Sequence, residues 1–161
     1  MSTQDQRRDY ASAFAAALDK DDFEAAARCL APMCSYTMDG QTICGPASVI
    51  ASYKEHADWA KANLEKIEYS HELKDDPDGR FSVIFADRVS HKGKSLHYRC
   101  RQILTIHPLC GITRIAHQDL PGEKEKADRF FDEAGIERCP KAAEADRAEQ
   151  TDKGARGSKG S

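Results

Sequence analysis

The chain has 161 residues, 32% of them charged, with a formal net charge of -3. That length suits one domain with a genuine core. The near balance of charge argues against a basic nucleic-acid or anionic-membrane surface, and no apolar run approaches the ~18 residues of a membrane-spanning helix.

The polar stretch Met1 to Arg8 lacks the apolar core of a secretory signal. The six cysteines, Cys29, Cys34, Cys44, Cys100, Cys110 and Cys139, form no C-x-x-C pair and are scattered along the chain. Dispersed cysteines read as reduced, mostly buried thiols of a cytoplasmic protein rather than as a disulfide framework or a metal centre.

In chain order, about Gln4 to Leu18 is predicted helical, with Tyr10, Phe14 and Leu18 recurring on one face. Asp19-Lys20-Asp21-Asp22 breaks that helix. Asp21 or Asp22 caps a second one, with Phe23, Ala26, Ala27 and Leu30 apolar and Pro32 beyond its end. A hairpin follows, Ser35–Met38 and Gln41–Cys44 around Asp39-Gly40, a dipeptide that favours the positive φ of a type I′ turn. Gly45-Pro46 opens a third helix with Val49, Ile50, Tyr53, Ala57 and Ala60 inward, and His56 and Trp59 on its flanks.

Asn63 to Leu120 reads as four consecutive strands. In Ile67 to Lys74 the odd positions are apolar, aromatic or histidine, and the even ones charged or hydroxyl. A period of two places the two sets on opposite faces of a sheet. Tight turns at 75–79, 91–94 and 108–111 imply an antiparallel meander, because parallel strands need long crossovers. Pro121 starts a last helix that carries Ala127, Phe130, Phe131 and Ala134 and stops at Gly135. Residues 1–137 are expected to form the domain. From Lys141 onward no residue is more apolar than alanine or threonine, and residues 138–161 are expected to be a disordered polar tail.

Alternation puts Ile67, Tyr69, His71 and Leu73 on the inner face of the first of these strands. Phe81, Val83, Phe85, Asp87 and Val89 follow on the second. Leu96, Tyr98, Cys100, Gln102, Leu104 and Ile106 occupy the third, and Thr113, Ile115, His117 and Asp119 the fourth. Pairing through the turns gives the rows His71–Val83–Gln102–His117, Tyr69–Phe85–Cys100–Asp119 and Ile67–Asp87–Tyr98.

His71, His117 and Asp87 are the candidate acid–base residues, since histidine exchanges protons near neutral pH. Asp87 or Asp119 can orient a histidine. Tyr36, Tyr53, Trp59, Tyr98 and Gln102 are the candidate binding residues, suited to a small apolar or aromatic molecule. The competing reading makes the histidines hydrogen-bonded core residues and pairs Asp87 with Arg99 or Lys94. Glu123-Lys124-Glu125-Lys126 reads as a solvated helix face. A metal enzyme built on His71 and His117 lacks a clustered third ligand, so no metal or organic cofactor is expected.

The order helix, helix, short hairpin, Gly-Pro-opened helix and four long strands resembles the nuclear transport factor 2-like superfamily, in its SnoaL-like branch. The residues that carry the likeness are Asp22-Phe23-Glu24-Ala25-Ala26, Tyr36-Thr37-Met38-Asp39-Gly40, Gly45-Pro46-Ala47-Ser48-Val49-Ile50 and Gly111-Ile112-Thr113-Arg114-Ile115, within about residues 4–137. The resemblance implies an α+β fold, a curved antiparallel sheet wrapped as a cone around N-terminal helices, with a pocket at its open end and a homodimer through the sheet. It also implies isomerases, cyclases, dehydratases and non-catalytic binders as functions, so fold alone does not choose among them. Ketosteroid isomerases in the superfamily use a carboxylate pair, and here Met38 and Gln102 stand at those positions. The expectation is a cofactor-free lyase or isomerase built on histidine, or else a ligand-binding or dimerisation module.

Overall fold

The computed structural model describes residues 2–137, so the expected tail at 138–161, with Cys139, lies outside the described residues. Helix α1 (Thr3–Asp19) begins with a capping box, in which the Ser2 hydroxyl accepts from the Asp5 N–H and the Asp5 carboxylate accepts from the Ser2 N–H. This satisfies two backbone donors that a helix start otherwise leaves open. Phe14 and Leu18 are buried along its inner face, as the periodicity predicts. Asp22 caps α2 (Phe23–Arg28) through the Ala25 N–H at 3.1 Å.

Helix α2 ends earlier than its apolar spacing suggests. Leu30 already belongs to strand β1 (Leu30–Met38), which therefore begins five residues before the expected Ser35. The cause is a tertiary pairing: Cys29 O accepts the Ile112 N–H at 2.8 Å, and Leu30 aligns with Ile112. The β1 register shifts between Leu30 and Ser35, where Pro32, which has no N–H to offer a ladder, stands exposed.

Strand β2 (Gln41–Cys44) pairs with β1 across Asp39 and Gly40, both at positive φ. Helix α3 (Pro46–Asn63) carries its proline in the first turn and buries Val49, Ser52, Ala57 and Ala60. Strands β3 (Lys66–Asp75), β4 (Phe81–His91), β5 (Lys94–His107) and β6 (Gly111–Asp119) form the expected antiparallel meander, followed by helix α4 (Glu123–Ala134). The sheet order is β2-β1-β6-β5-β4-β3. The α+β layout is as expected, and the sheet is mixed, because β1 and β6 run parallel. A parallel contact is possible here because α3 and four strands, β2 to β5, intervene between them.

Two apolar cores occupy the inner face. The larger joins Phe14 and Leu18 to Phe81, Val83, Leu104, Ile112 and Ile115. The smaller joins Ala60, Leu64, Val89 and Leu96 to Ala127 and Phe130 of α4. The inner-face polar residues lie in a belt between these cores.

Strand β5 extends beyond the end of β6, and α4 covers that stretch. The Arg99 N–H donates to the Glu123 carboxylate at 3.3 Å, with Arg99 Nε at 3.4 Å and Lys126 Nζ at 2.8 Å on the same group. Glu123 is thus buried, not part of a solvated face. The edge position explains this, since the segment supplies the acceptor that β6 no longer provides. Burial alone would push the Glu123 carboxyl up, but the hydrogen bonds and charges of Lys126 and Arg99 prevail and hold it below its ordinary value.

Candidate active site

Observed register gives the rows Leu73–Val83–Gln102–His117, His71–Phe85–Cys100–Asp119 and Tyr69–Asp87–Tyr98. Pairing across β4, β5 and β6 matches expectation. Strand β3 is displaced by two residues, so His71 sits one row away from Gln102 and His117, not beside them. The turn is the reason. Asp76 to Gly79 closes with Gly79 N–H donating to Asp76 O, Gly79 takes positive φ, and Asp75 pairs with Phe81. The connection is therefore centred on Asp78, a turn plus one left-handed glycine, rather than on Pro77.

The Gln102 row carries a directional hydrogen-bond chain. Tyr53 Oη donates to Gln102 Oε1 at 2.6 Å, so the amide nitrogen faces Tyr36 Oη at 3.4 Å and His117 Nδ1 at 3.5 Å. His117 Nδ1 is then an acceptor, and its Nε2–H donates to Asp119 Oδ1 at 3.0 Å. Tyr36 Oη donates to Met38 Sδ at 3.7 Å. Tyr53, Gln102, Tyr36 and His117 are each partnered, and the chain runs out to the exposed Asp119. Tyr36 and Tyr53 pack edge to face at 5.6 Å, and Tyr53 against Phe14 at 5.8 Å. Burial pushes both phenols above their ordinary value.

The His71 row is different. His71 Nδ1 meets Asp19 Oδ2 at 2.6 Å, and His71 Nε2 has no partner among the described residues. Asp19 is the last residue of α1. A carboxylate there faces the negative end of the helix dipole, so the imidazole contact is what makes the position tenable.

Asp87, one row further towards α4, forms no hydrogen bond or ion pair among the described residues. The alternative partners are taken: Arg99 by Glu123 and Lys94 by Glu133 at 3.9 Å. Burial first, and the nearby Asp19 charge second, push the Asp87 carboxyl up to about 7. Cys100 is also pushed up, to about 12, by burial and then by Asp87, Asp119 and Glu123, so it is a neutral thiol and a poor nucleophile.

Tyr98 lies opposite Asp87 and packs on the smaller core. Trp59 packs edge to face on Phe131 at 6.0 Å, within that same core rather than in the Gln102 chain. Asp19 was hidden in the sequence among four charged residues that read as a helix break. Only its place one turn beyond Ala15 and next to buried Leu18 hints that it points inward.

Two depressions elsewhere on the surface do not open on this belt. One, of about 620 Å³, lies between Gln6, Tyr10, Arg28 and Leu109. The other, of about 300 Å³, lies between β5 and α4 at Lys94, His97, Arg129 and Phe130. Cys29 and Cys34 are buried, Cys100 partly so, and Cys44 and Cys110 exposed, all as free thiols. Among the described residues no group of three or more His, Cys, Asp or Glu is placed to hold a metal ion, and no helix is long and apolar enough to cross a membrane.

No protein-family model and no curated protein matches the chain. Solved structures do. Bal32a from a soil-derived mobile gene cassette superposes with a TM-score of 0.63 at 12% identity, covering 81% of this chain and 99% of that one. A Mycobacterium tuberculosis LEH-like epoxide hydrolase gives 0.57 at 14% identity, over 78% and 92% of the two chains. A Mycobacterium tuberculosis protein in complex with estradiol-17β-hemisuccinate gives 0.55 at 14% identity, over 73% and 96%. With these matches the architecture described above is settled: the chain has the nuclear transport factor 2-like fold.

Proposed function

We propose that the chain is a cofactor-free lyase or isomerase of the SnoaL-like kind that acts on a small apolar or aromatic carbonyl compound bound over the Phe85–Cys100 floor. Asp87 is the proton donor and acceptor. His71 Nε2, with Asp19 on its other nitrogen, is the second base. In a dehydration His71 takes the proton next to the carbonyl, the C–H electrons form the new double bond, and hydroxide leaves with the Asp87 proton as water. In an isomerisation the same pair returns the proton to another carbon. Tyr98 stands beside Asp87 as a hydroxyl donor to substrate oxygen, and Trp59 closes the α3 side. His117 has both nitrogens engaged, so its role is to hold Gln102, Tyr36 and Tyr53 in one hydrogen-bonded wall.

The observation that carries this reading is Asp87, an unpaired carboxyl held near neutrality at about 7. A general acid–base group works best at such a value. Similarity to an epoxide hydrolase and to a steroid-conjugate complex supports a small, largely apolar ligand. The test is turnover of a panel of hydroxy-carbonyl and unsaturated carbonyl compounds by wild type, Asp87→Asn and His117→Ala. The expected result is a loss of about 10²–10⁴-fold in Asp87→Asn and a smaller loss in His117→Ala. Undiminished turnover in Asp87→Asn sinks the role.

A second reading, a non-catalytic binding module of the same fold, is favoured by the saturated Gln102 chain, which looks built for shape rather than reaction. It predicts that ligands from the same panel raise the melting temperature without being turned over. In either case we expect a cytoplasmic homodimer through the outer sheet face, where Ile84, Ile103 and Ala116 are only partly covered. A monomer in sedimentation at micromolar concentration contradicts that assembly.

A further inference from the structure

We propose that Asp19 is a positioning residue for Asp87: its carboxylate, anchored by His71, keeps Asp87 in the proton-bearing form, and the buried Asp19 Oδ1 is the acceptor that the Asp87 acid proton serves. This rests on the acid–base reading of Asp87 given above.

Three structural observations converge. First, Asp19 Oδ1 is a buried side-chain atom without a hydrogen-bond partner, the one such atom among the described residues. A buried, uncompensated acceptor is costly, on the order of 1–3 kcal/mol, more for a charged group, and calls for a donor. Second, Asp19 Oδ2 is fixed by His71 Nδ1 at 2.6 Å, so the carboxylate cannot turn both oxygens to one partner. Third, His71 aligns with Phe85, and Asp87 lies two residues further along β4 on the same face, diagonal to His71. Helix α1 packs on both β3 and β4, and its last residue, Asp19, is held at the His71 end of that diagonal.

The charged and titratable surroundings favour Asp19 as the controlling group. Tyr69 and His71 face the belt from β3, Tyr98 and Cys100 from β5, and Asp119 from β6. The phenols of Tyr69 and Tyr98 and the Cys100 thiol are held neutral by burial. Asp119 is engaged by His117, Glu123 of α4 by Arg99 and Lys126, and Asp21, beyond α1, by Lys61 at 3.0 Å. Asp19 is the charge whose repulsion acts on Asp87. Two carboxyls that approach each other in a low-dielectric site do not both ionise, so a proton is retained on the pair.

The experiment is a ¹³C-carboxyl NMR titration of the full chain, free of ligand, in wild type, Asp19→Asn and Asp21→Asn. The Asp87 midpoint is expected near pH 7 in wild type, lower by about one pH unit or more in Asp19→Asn, and unmoved in Asp21→Asn. Asp19→Ser provides the same readout if the amide disturbs the helix end. An Asp87 midpoint unchanged in both Asp19 variants, or lowered equally by Asp21→Asn, overturns the role of Asp19 and leaves the acid–base reading standing. An Asp87 that already titrates in the ordinary carboxylate range in wild type overturns both.

Discussion

Asp87 is costly to keep, and that cost has a pH signature. Its folded value, about 7, lies above the ordinary 3.8. Below pH 4 the group is protonated in both folded and unfolded chains and the environment costs nothing electrostatic. As pH rises from about 4 to 7 the unfolded chain releases the proton while the folded chain keeps it, so stability falls. Above 7 the full penalty, on the order of 2–4 kcal/mol, persists. Asp87→Asn is therefore expected to raise the melting temperature at pH 8 and to leave it nearly unchanged at pH 4. Calorimetry at the two values checks this, and an equal effect at both contradicts the assigned burial. Asp87 was legible in the sequence because it interrupts an apolar alternation between Phe85 and Val89. Asp19 was not, because a helix-terminal aspartate in a charged run looks the same whether it faces water or His71.

Among the elements, the four long strands were legible from their period of two, and the hairpin from Asp39-Gly40. The β3 register was not. Pro77 marks a turn but not its centre, and the left-handed Gly79 moves the pairing by two residues. The early start of β1 was hidden for a different reason. Leu30 fits a helix face equally well, and the pairing that claims it comes from residue 112. Gly111 makes that pairing possible: it sits at φ +101, and a Cβ there would lie 2.5 Å from Cys29 O. Gly111→Ala is expected to destabilise by on the order of 2–4 kcal/mol, read by urea denaturation. A change under half of that would show that β1 can move aside. Helix α4 depends on Glu123 in a comparable way. Glu123→Gln removes a buried charge that two cations and a strand N–H require, at a cost of about 1–3 kcal/mol near neutral pH. Because the carboxyl is held below its ordinary 4.5, the stabilisation is present above that value and lost as pH falls through its lower folded value. The wild-type advantage over Glu123→Gln in thermal melts should therefore fade towards pH 3.

Across the whole molecule, the two cores explain why a polar belt survives. The core under α1 and the core under α4 each close an end of the inner face. Between them lie the rows that carry Asp87, His71 and the Gln102 chain. The architecture was readable from the order of elements. The different hydrogen-bonding of the two histidines was not, because it depends on which ring nitrogens are occupied, and no spacing rule encodes that. In the proposed reaction Asp87 delivers and recovers a proton near neutral pH. The measurement that tests it most directly is the pH dependence of kcat/KM for any carbonyl substrate the panel identifies, in wild type and Asp87→Asn. Wild type is expected to show a limb with a midpoint near pH 7 that disappears in the variant along with most of the activity. A limb that persists unchanged in Asp87→Asn would contradict it.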